Sequence, residues 1–245
     1  MKVVLFSRVP RWYSFKNERL ASELNNSGFE VCGVLVETTS TIGSLREWGN
    51  KLGWGVFAKK LRARIFGSSE NRQKTSDQVP GFTPQVYHFK SHNSLECAAK
   101  VKELGADVIV LRGCGILKQQ VLDSPKLGVI NPHYALLPNF RGMDVTEWSV
   151  LCGEKVAVSV HSVNLGVDTG SVLRSELILP QQGDTVGSLR DKSAKLAVKL
   201  LKEALIDIRE GKEFPENKMN EGGKQYFKMH DRLRSLANQR LNNFA

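Results

Sequence analysis

KVVLFS (Lys2–Ser7) and EVCGVLV (30–36), joined by a segment with apolar or small residues at helical spacing (Leu20, Ala21 and Leu24 within residues 15–26), are the stretch that decides the fold. Short apolar runs without polar alternation read as strands buried on both faces, as a parallel sheet requires. Gly28 reads as the stop of the intervening helix. A strand, a helix and a second strand joined by a right-handed crossover are how a doubly wound parallel sheet begins.

Outward from this unit, residues 38–84 interrupt the alternation. Residues 45–66 are amphipathic and basic, and residues 67–84 are rich in Ser, Gly, Pro and polar side chains, so the reading is an inserted helix and a loop. Lys59, Lys60, Arg62 and Arg64 form either a solvated helix face or a surface for an anion or membrane; Trp48, Trp54 and Phe57 are expected to pack on the main body. Alternation resumes with a strand at 85–89, a helix at 94–104 and a strand at 107–111. The turn RGCGIL follows, and its Gly113 and Gly115 resemble the start of a dinucleotide fingerprint whose third glycine is replaced by Lys118. A short helix (118–122), a strand (127–131), a strand at 156–163 and an antiparallel partner at 171–179 across a tight turn come next. A long helix then opens at Asp184 or Thr185, carries Val186, Leu189, Leu196, Leu200, Ala204 and Ile208 along one stripe, and ends at Gly211. The tail is polar and basic, with Tyr226 and Phe227 as expected anchors.

The expected architecture is α/β: a doubly wound, mostly parallel twisted sheet, Rossmann-like, with a helical insertion and a short C-terminal extension. Residues 1–211 are expected to form the main domain, including the insertion 38–84, and 212–245 the extension. The 245 residues suit one such domain. No apolar stretch is long enough for a signal peptide core or a membrane span, so the expected location is the cytoplasm. Cys32, Cys97, Cys114 and Cys152 have no CxxC pairing and read as free, mostly buried thiols. The formal charge of +10 favours anionic ligands such as polyglutamylated folates, nucleotides, RNA or acidic lipid, without choosing among them.

In open α/β sheets, ligands bind at the carboxyl ends of the strands. Asn131 and His133 fall at such an end, between the strand LGVI and an irregular loop containing Pro138 and Gly142. Residues 164–170 (NLGVDTG) fall at the end of the next strand, with Gly166 and Gly170 allowing Asp168 to occupy a tight turn. Singly, each has an ordinary explanation: a turn cap, an interior imidazole, an Asx-turn. Together an amide, an imidazole and a carboxylate form a set suited to acyl transfer.

NPHYALLPNFRG (131–142) and VSVHSVNLGVDTGSVL (158–173) resemble the two motifs of the folate-dependent formyltransferases, and the resemblance runs from about residue 106 to 205. It implies a transferase of one-carbon metabolism that uses 10-formyltetrahydrofolate as donor and no metal. Residue by residue it implies that Asn131 and His133 polarise the formyl carbonyl and that Asp168 assists proton movement. A preorganised donor at a developing oxyanion contributes about 3 kcal/mol. A carboxylate beside His133 is expected to raise the imidazole's pKa and keep it a donor. Leu111, Arg112, Gly115, Ile116 and Leu117, with Leu165, Gly166 and Val167, match the segments that hold the pterin, largely by backbone hydrogen bonds. His161 matches a frequent family histidine and is expected to support the site. Arg8, Arg11, Tyr134 and Arg141 are candidates for the acceptor, Arg141 either meeting an acidic group or bracing the loop.

Two departures from the family stand out: Pro132 removes an N–H between Asn131 and His133, and Ala135 replaces a usual Ser. The turn SRVPRWYSF after the first strand lacks the glycine-rich phosphate cradle of the glycinamide ribonucleotide enzymes. About 35 residues follow the long helix, too few for the tRNA-gripping barrel of the methionyl-tRNA enzymes. The expected acceptor is therefore a small primary amine, with a nucleotide-linked amino sugar first. Methionyl-tRNA, phosphoribosylglycinamide and hydrolysis of the donor are the alternatives, and a homodimer is compatible with the reading.

Overall fold

The computed structural model describes residues 1–8, 14–38, 82–212 and 223–242. The expected basic helix at 45–66, with Lys59, Lys60, Arg62, Arg64, Trp48, Trp54 and Phe57, lies outside the described residues, as does all of the expected loop 67–84 except 82–84.

Strands β1 (Lys2–Ser7), β2 (Glu30–Glu37), β3 (Val86–Phe89), β4 (Val108–Arg112), β5 (Gly128–His133), β7 (Val156–Ser162) and β8 (Val172–Ile178) form a seven-stranded sheet in the order β3-β2-β1-β4-β5-β7-β8. The pairings from β3 to β5 are parallel; β5–β7 and β7–β8 are antiparallel. Two further short strands, β6 (Phe140–Gly142) and β9 (Lys224–Tyr226), pair parallel to each other beside the main sheet.

The apolar runs are buried on both faces, as their composition requires. Val3, Leu5, Val108 and Val110 pack under helices α1 (Ser14–Asn26), α5 (Val186–Arg209) and α6 (Asp231–Asn242). The alternate residues Val4, Phe6, Ile109 and Leu111 pack under α2 (Leu95–Glu103) and α3 (Gln119–Leu122). Ser94 caps α2 by accepting from Cys97 N, and Thr185 and Ser188 form a capping box that starts α5. Gly28 ends α1's exit turn at φ +82°, a conformation that favours glycine.

Five expectations change. Residues 140–142 are a strand rather than irregular loop, and α4 (Val145–Cys152) follows them. The β7–β8 connection is the loop 163–171, not a tight turn. The tail contributes β9 and α6, whose Ala237 and Leu241 enter the core. Of its two expected anchors, Tyr226 packs against Phe140 and Trp148, whereas Phe227 is 70% exposed and is held through its carbonyl, which accepts from Trp148 Nε1 at 2.8 Å. The cysteines are free, but only Cys97 is buried and Cys152 is exposed.

Buried Ser159 on β7 fixes the segment that follows β5. Its Oγ accepts from Leu137 N at 3.2 Å and donates to the Ala135 carbonyl at 2.8 Å. Ser159→Ala strands both buried backbone groups, and the expected loss is about 1–3 kcal/mol. Urea unfolding measures it; an unchanged midpoint would show that the hydroxyl is not the tie.

Candidate functional site

β4 pairs with β5 only as far as Ile130, so Asn131, Pro132 and His133 run on with β7 alone beside them. Pro132 is tolerated there because β5 has a partner on one side only. Asn131 lies opposite His161 in the antiparallel register, and its Nδ2 is 3.2 Å from His161 Nε2. His161 Nδ1–H donates to the Ser162 carbonyl at 2.6 Å, which leaves Nε2 to face both the Asn131 amide and Asp168.

Asp168 sits in the left-handed region at φ +51° within the loop after β7. Because β7 runs opposite to β5, this loop leaves at the level of Val129, where Val163 N donates to the Val129 carbonyl at 2.8 Å. It reaches the site by folding back: Asn164 Oδ1 accepts from Gly166 N at 3.0 Å and Thr169 Oγ1 at 2.6 Å, and Gly170 lies against the Ser162 carbonyl with no room for a Cβ. Asp168 Oδ2 accepts from Gly142 N at 2.7 Å and is 3.5 Å from His133 Nδ1; Oδ1 is 3.5 Å from His161 Nε2. The structure thus brings Asn131, His133, His161 and Asp168 together.

His133 Nε2 is 2.8 Å from the Phe140 carbonyl. A carbonyl only accepts, so Nε2 carries the proton in neutral His133, and Nδ1 presents a lone pair toward Asp168. Phe140 and Gly142 act through main-chain atoms and were not among the expected site residues; Gly142, at φ +99°, was read only as a loop former.

Asp168 acts upward on His133 as expected, but the expected net result, a raised imidazole, is overturned. Burial pushes the imidazole below its ordinary value, and the Asp168 carboxylate and the Phe140 bond oppose that without reversing it. For Asp168, burial acts upward, but the neighbouring His161 and His133 imidazoles and the Gly142 N–H together hold the carboxyl below its usual range.

The expected pterin segments run from the end of β4 and through the loop after β7. Leu111 and Leu117 are core residues, whereas Ile116 is 64% and Leu165 59% exposed. Asn93 fixes the loop between them, its Nδ2 donating to the Ile116 carbonyl at 2.9 Å and its Oδ1 accepting from Lys118 N at 2.7 Å. An open cleft of about 470 Å³ between α3 and the loop after β7 is lined by Leu122, Asp123, Val163, Leu165 and Gly166. Leu122 and Val163 were missed because each reads as an ordinary core residue. Arg112, Gly115 and Val167 lie in the two segments that border it.

Among the acceptor candidates, Arg8 directly follows β1 and pairs with Glu37 at 2.9 Å, and Glu37 Oε2 in turn accepts from His92 N at 3.0 Å. Arg11 lies outside the described residues. Tyr134 is half-buried, and its carbonyl accepts from Thr146 Oγ1 at 3.0 Å. Arg141 donates to the Gly223 carbonyl of the C-terminal segment at 3.3 Å.

Residues 18–205 match the family model described as formyl transferase. The chain is 36% identical over 131 residues to a methionyl-tRNA formyltransferase of Caldanaerobacter subterraneus, a match covering 53% of this chain and 42% of that protein. The chain therefore spans less than half the length of the curated relatives it matches. Among solved structures, glycinamide ribonucleotide transformylase 1 of Symbiobacterium toebii superimposes with a TM-score of 0.63 at 19% identity, covering 89% of this chain and 92% of that one. A formyltransferase of Anoxybacillus kamchatkensis, solved with a UDP-linked formamido sugar and tetrahydrofolate, gives 0.55 at 18% identity, covering 96% and 90%. These likenesses establish the fold.

Buried His133 and His92 both titrate below the ordinary histidine value of 6.5 because burial disfavours their charged forms. The unfolded chain then takes up protons near that value before the folded chain does. The stability they contribute is full above it and is lost as pH falls toward the folded values, while Asp168, whose window lies below 3.8, stays constant. Thermal midpoints should fall between pH 7.5 and 5.5, about the ordinary histidine range. His133→Gln should make that fall shallower; an equal slope would contradict the assignment.

Proposed function

Because the chain belongs to the formyl transferase family, we propose that it moves a formyl group from 10-formyltetrahydrofolate to the primary amine of a small acceptor, a nucleotide-linked amino sugar. One observation carries this reading: the Asp168 carboxylate stands within 3.5 Å of both His133 and His161, and His161 in turn meets the Asn131 amide.

The donor is assigned to the edge beside this cluster. The loop 113–117 and the loop after β7 offer main-chain groups, and exposed Ile116 and Leu165 with Leu122 and Val163 offer apolar surface for a ring. The folate supplies an activated formyl group on a nitrogen that leaves as an amine. As the acceptor amine bonds to the formyl carbon, negative charge grows on the formyl oxygen. Asn131 has a second amide N–H beyond the one facing His161, and we assign it to that oxygen. Asp168, ionised in its low-pKa setting, takes the ammonium proton. His133 Nδ1, which faces Asp168 as a lone pair, receives that proton and places a positive charge beside the oxyanion. The proton then goes to the folate nitrogen as its bond to the formyl carbon breaks. The acceptor amine ends with one proton fewer and the folate amine with one more. Arg8, at the carboxyl end of β1, is assigned to the acceptor's phosphates, and Tyr134 to its entry side.

A second reading has its own support, the 36% identity to methionyl-tRNA formyltransferase together with the +10 charge. Incubating pure chain with 10-formyltetrahydrofolate and either a UDP-linked amino sugar, methionyl-tRNA, phosphoribosylglycinamide or no amine separates them by tetrahydrofolate release. Release with the amino sugar supports the proposal, and release with one of the other two amines moves the acceptor assignment. Release as fast without any amine, or none at all, removes the transferase reading.

In the active pairing, Asn131→Ala should lower kcat roughly 100–1,000-fold, as for loss of one oxyanion donor. Asp168→Asn should cost at least as much while the protein stays folded by circular dichroism. Near-wild-type turnover in either would withdraw the site assignment.

A further inference from the structure

The three-residue strand β6 holds both members of the reacting pair through its backbone. The Phe140 carbonyl fixes His133 Nε2 at 2.8 Å, and Gly142 N–H holds Asp168 Oδ2 at 2.7 Å. The partner strand of β6 is β9, which the chain supplies after the long helix α5. Lys224 N donates to the Asn139 carbonyl at 3.1 Å, and Met143 N to the Tyr226 carbonyl at 3.0 Å, so the pairing is tied at both ends. The approach is close: Gly142 lies against the Tyr226 carbonyl and Gly223 against the Pro138 carbonyl, with no space for a Cβ at either.

Tyr226 sets the height of β6. Its ring stacks on Phe140 at 5.0 Å and 20° and leans on Trp148 at 5.2 Å, while Trp148 Nε1 donates to the Phe227 carbonyl. Beyond it, Met229 N donates to Asp144 Oδ2 at 2.9 Å, and Arg234 pairs with Asp144 at 3.0 Å. The segment is therefore anchored to Trp148 of α4 and to the helix's N-cap residue Asp144 as well as to β6, and it positions the strand as a fixed support.

We infer that Tyr226 is a positioning residue of the catalytic site: through β9 it presses β6 into the place where the Phe140 carbonyl selects the Nε2–H form of His133 and leaves Nδ1 free to take a proton by way of Asp168. This rests on His133 and Asp168 being the reacting pair. Without the carbonyl, neutral His133 gains more by carrying its proton on Nδ1, where the Asp168 carboxylate accepts it, and the ring then has no basic nitrogen facing the carboxylate.

The test is histidine side-chain NMR on the full chain labelled with ¹⁵N-histidine, where the shifts of the two ring nitrogens report which one is protonated. His133 is assigned from the signal lost in His133→Gln. In the unsubstituted chain the neutral ring is expected as Nε2–H. In Tyr226→Ala a large Nδ1–H population should appear and kcat should fall roughly 10–100-fold, the cost of an ångström-scale misplacement. Tyr226→Phe, which keeps the stack, should restore both. If Tyr226→Ala fails to fold, Trp148→Phe, which removes the bond to the Phe227 carbonyl but keeps a ring, should shift the same populations less. A folded variant with β6 support removed and the Nε2–H form intact would overturn the inference, as would Nδ1–H in the unsubstituted chain. The tautomer readout needs no formyl transfer, so expected tautomers in a chain that transfers to no amine would leave the positioning standing and remove the transferase reading alone.

Discussion

Asp168 accepts Gly142 N–H at 2.7 Å while lying 3.5 Å from both His133 Nδ1 and His161 Nε2. Four separate pieces of chain meet on that one carboxylate: the end of β5, the end of β7, the loop after β7 and the strand β6. A carboxylate held mostly out of water, as half-buried Asp168 is, is costly unless its oxygens are bonded. The requirement to satisfy it makes the loop fold back along the sheet, the left-handed turn at Asp168 itself and the closeness of Gly170 to Ser162 parts of one solution. Residues strained in this way cluster where function needs them.

The antiparallel strand β7 makes this convergence possible. In an all-parallel sheet the loops after neighbouring strands gather at one edge of their own accord. Reversal of β7 sends its loop off at the level of Val129, and Asn131 and His161 become cross-strand partners instead of residues on separate loops. The amide and the imidazole are thus held by sheet register, which is stiffer than loop packing, and the carboxylate is brought to them.

The order of the described strands and helices from β1 to β5 was legible because long apolar runs and helical stripes depend on local composition. Asn131, His133 and Asp168 were legible because polar residues between a buried run and a glycine-rich turn are conspicuous. The rest was not, for physical reasons. Alternation does not encode strand direction, so the reversal of β7 left no mark in it. β6 and β9 are three residues each and exist by pairing across most of the last third of the chain. Phe140 and Gly142 contribute a carbonyl and an N–H, groups that every residue but proline carries. His133 was misjudged because the neighbouring carboxylate can be seen in sequence, whereas the depth of burial that outweighs it cannot.

The central claim is that the cluster around Asp168 is built to act on a formyl group carried by a folate at the adjoining edge. A crystal structure of the chain with a formylated folate analogue that cannot release its formyl group tests it most directly. The account predicts the bicyclic ring against the main chain of 113–117 and the loop after β7, with the formyl oxygen within hydrogen-bond distance of Asn131 Nδ2. A ring bound elsewhere, or a formyl oxygen turned away from Asn131 and Asp168, would contradict it.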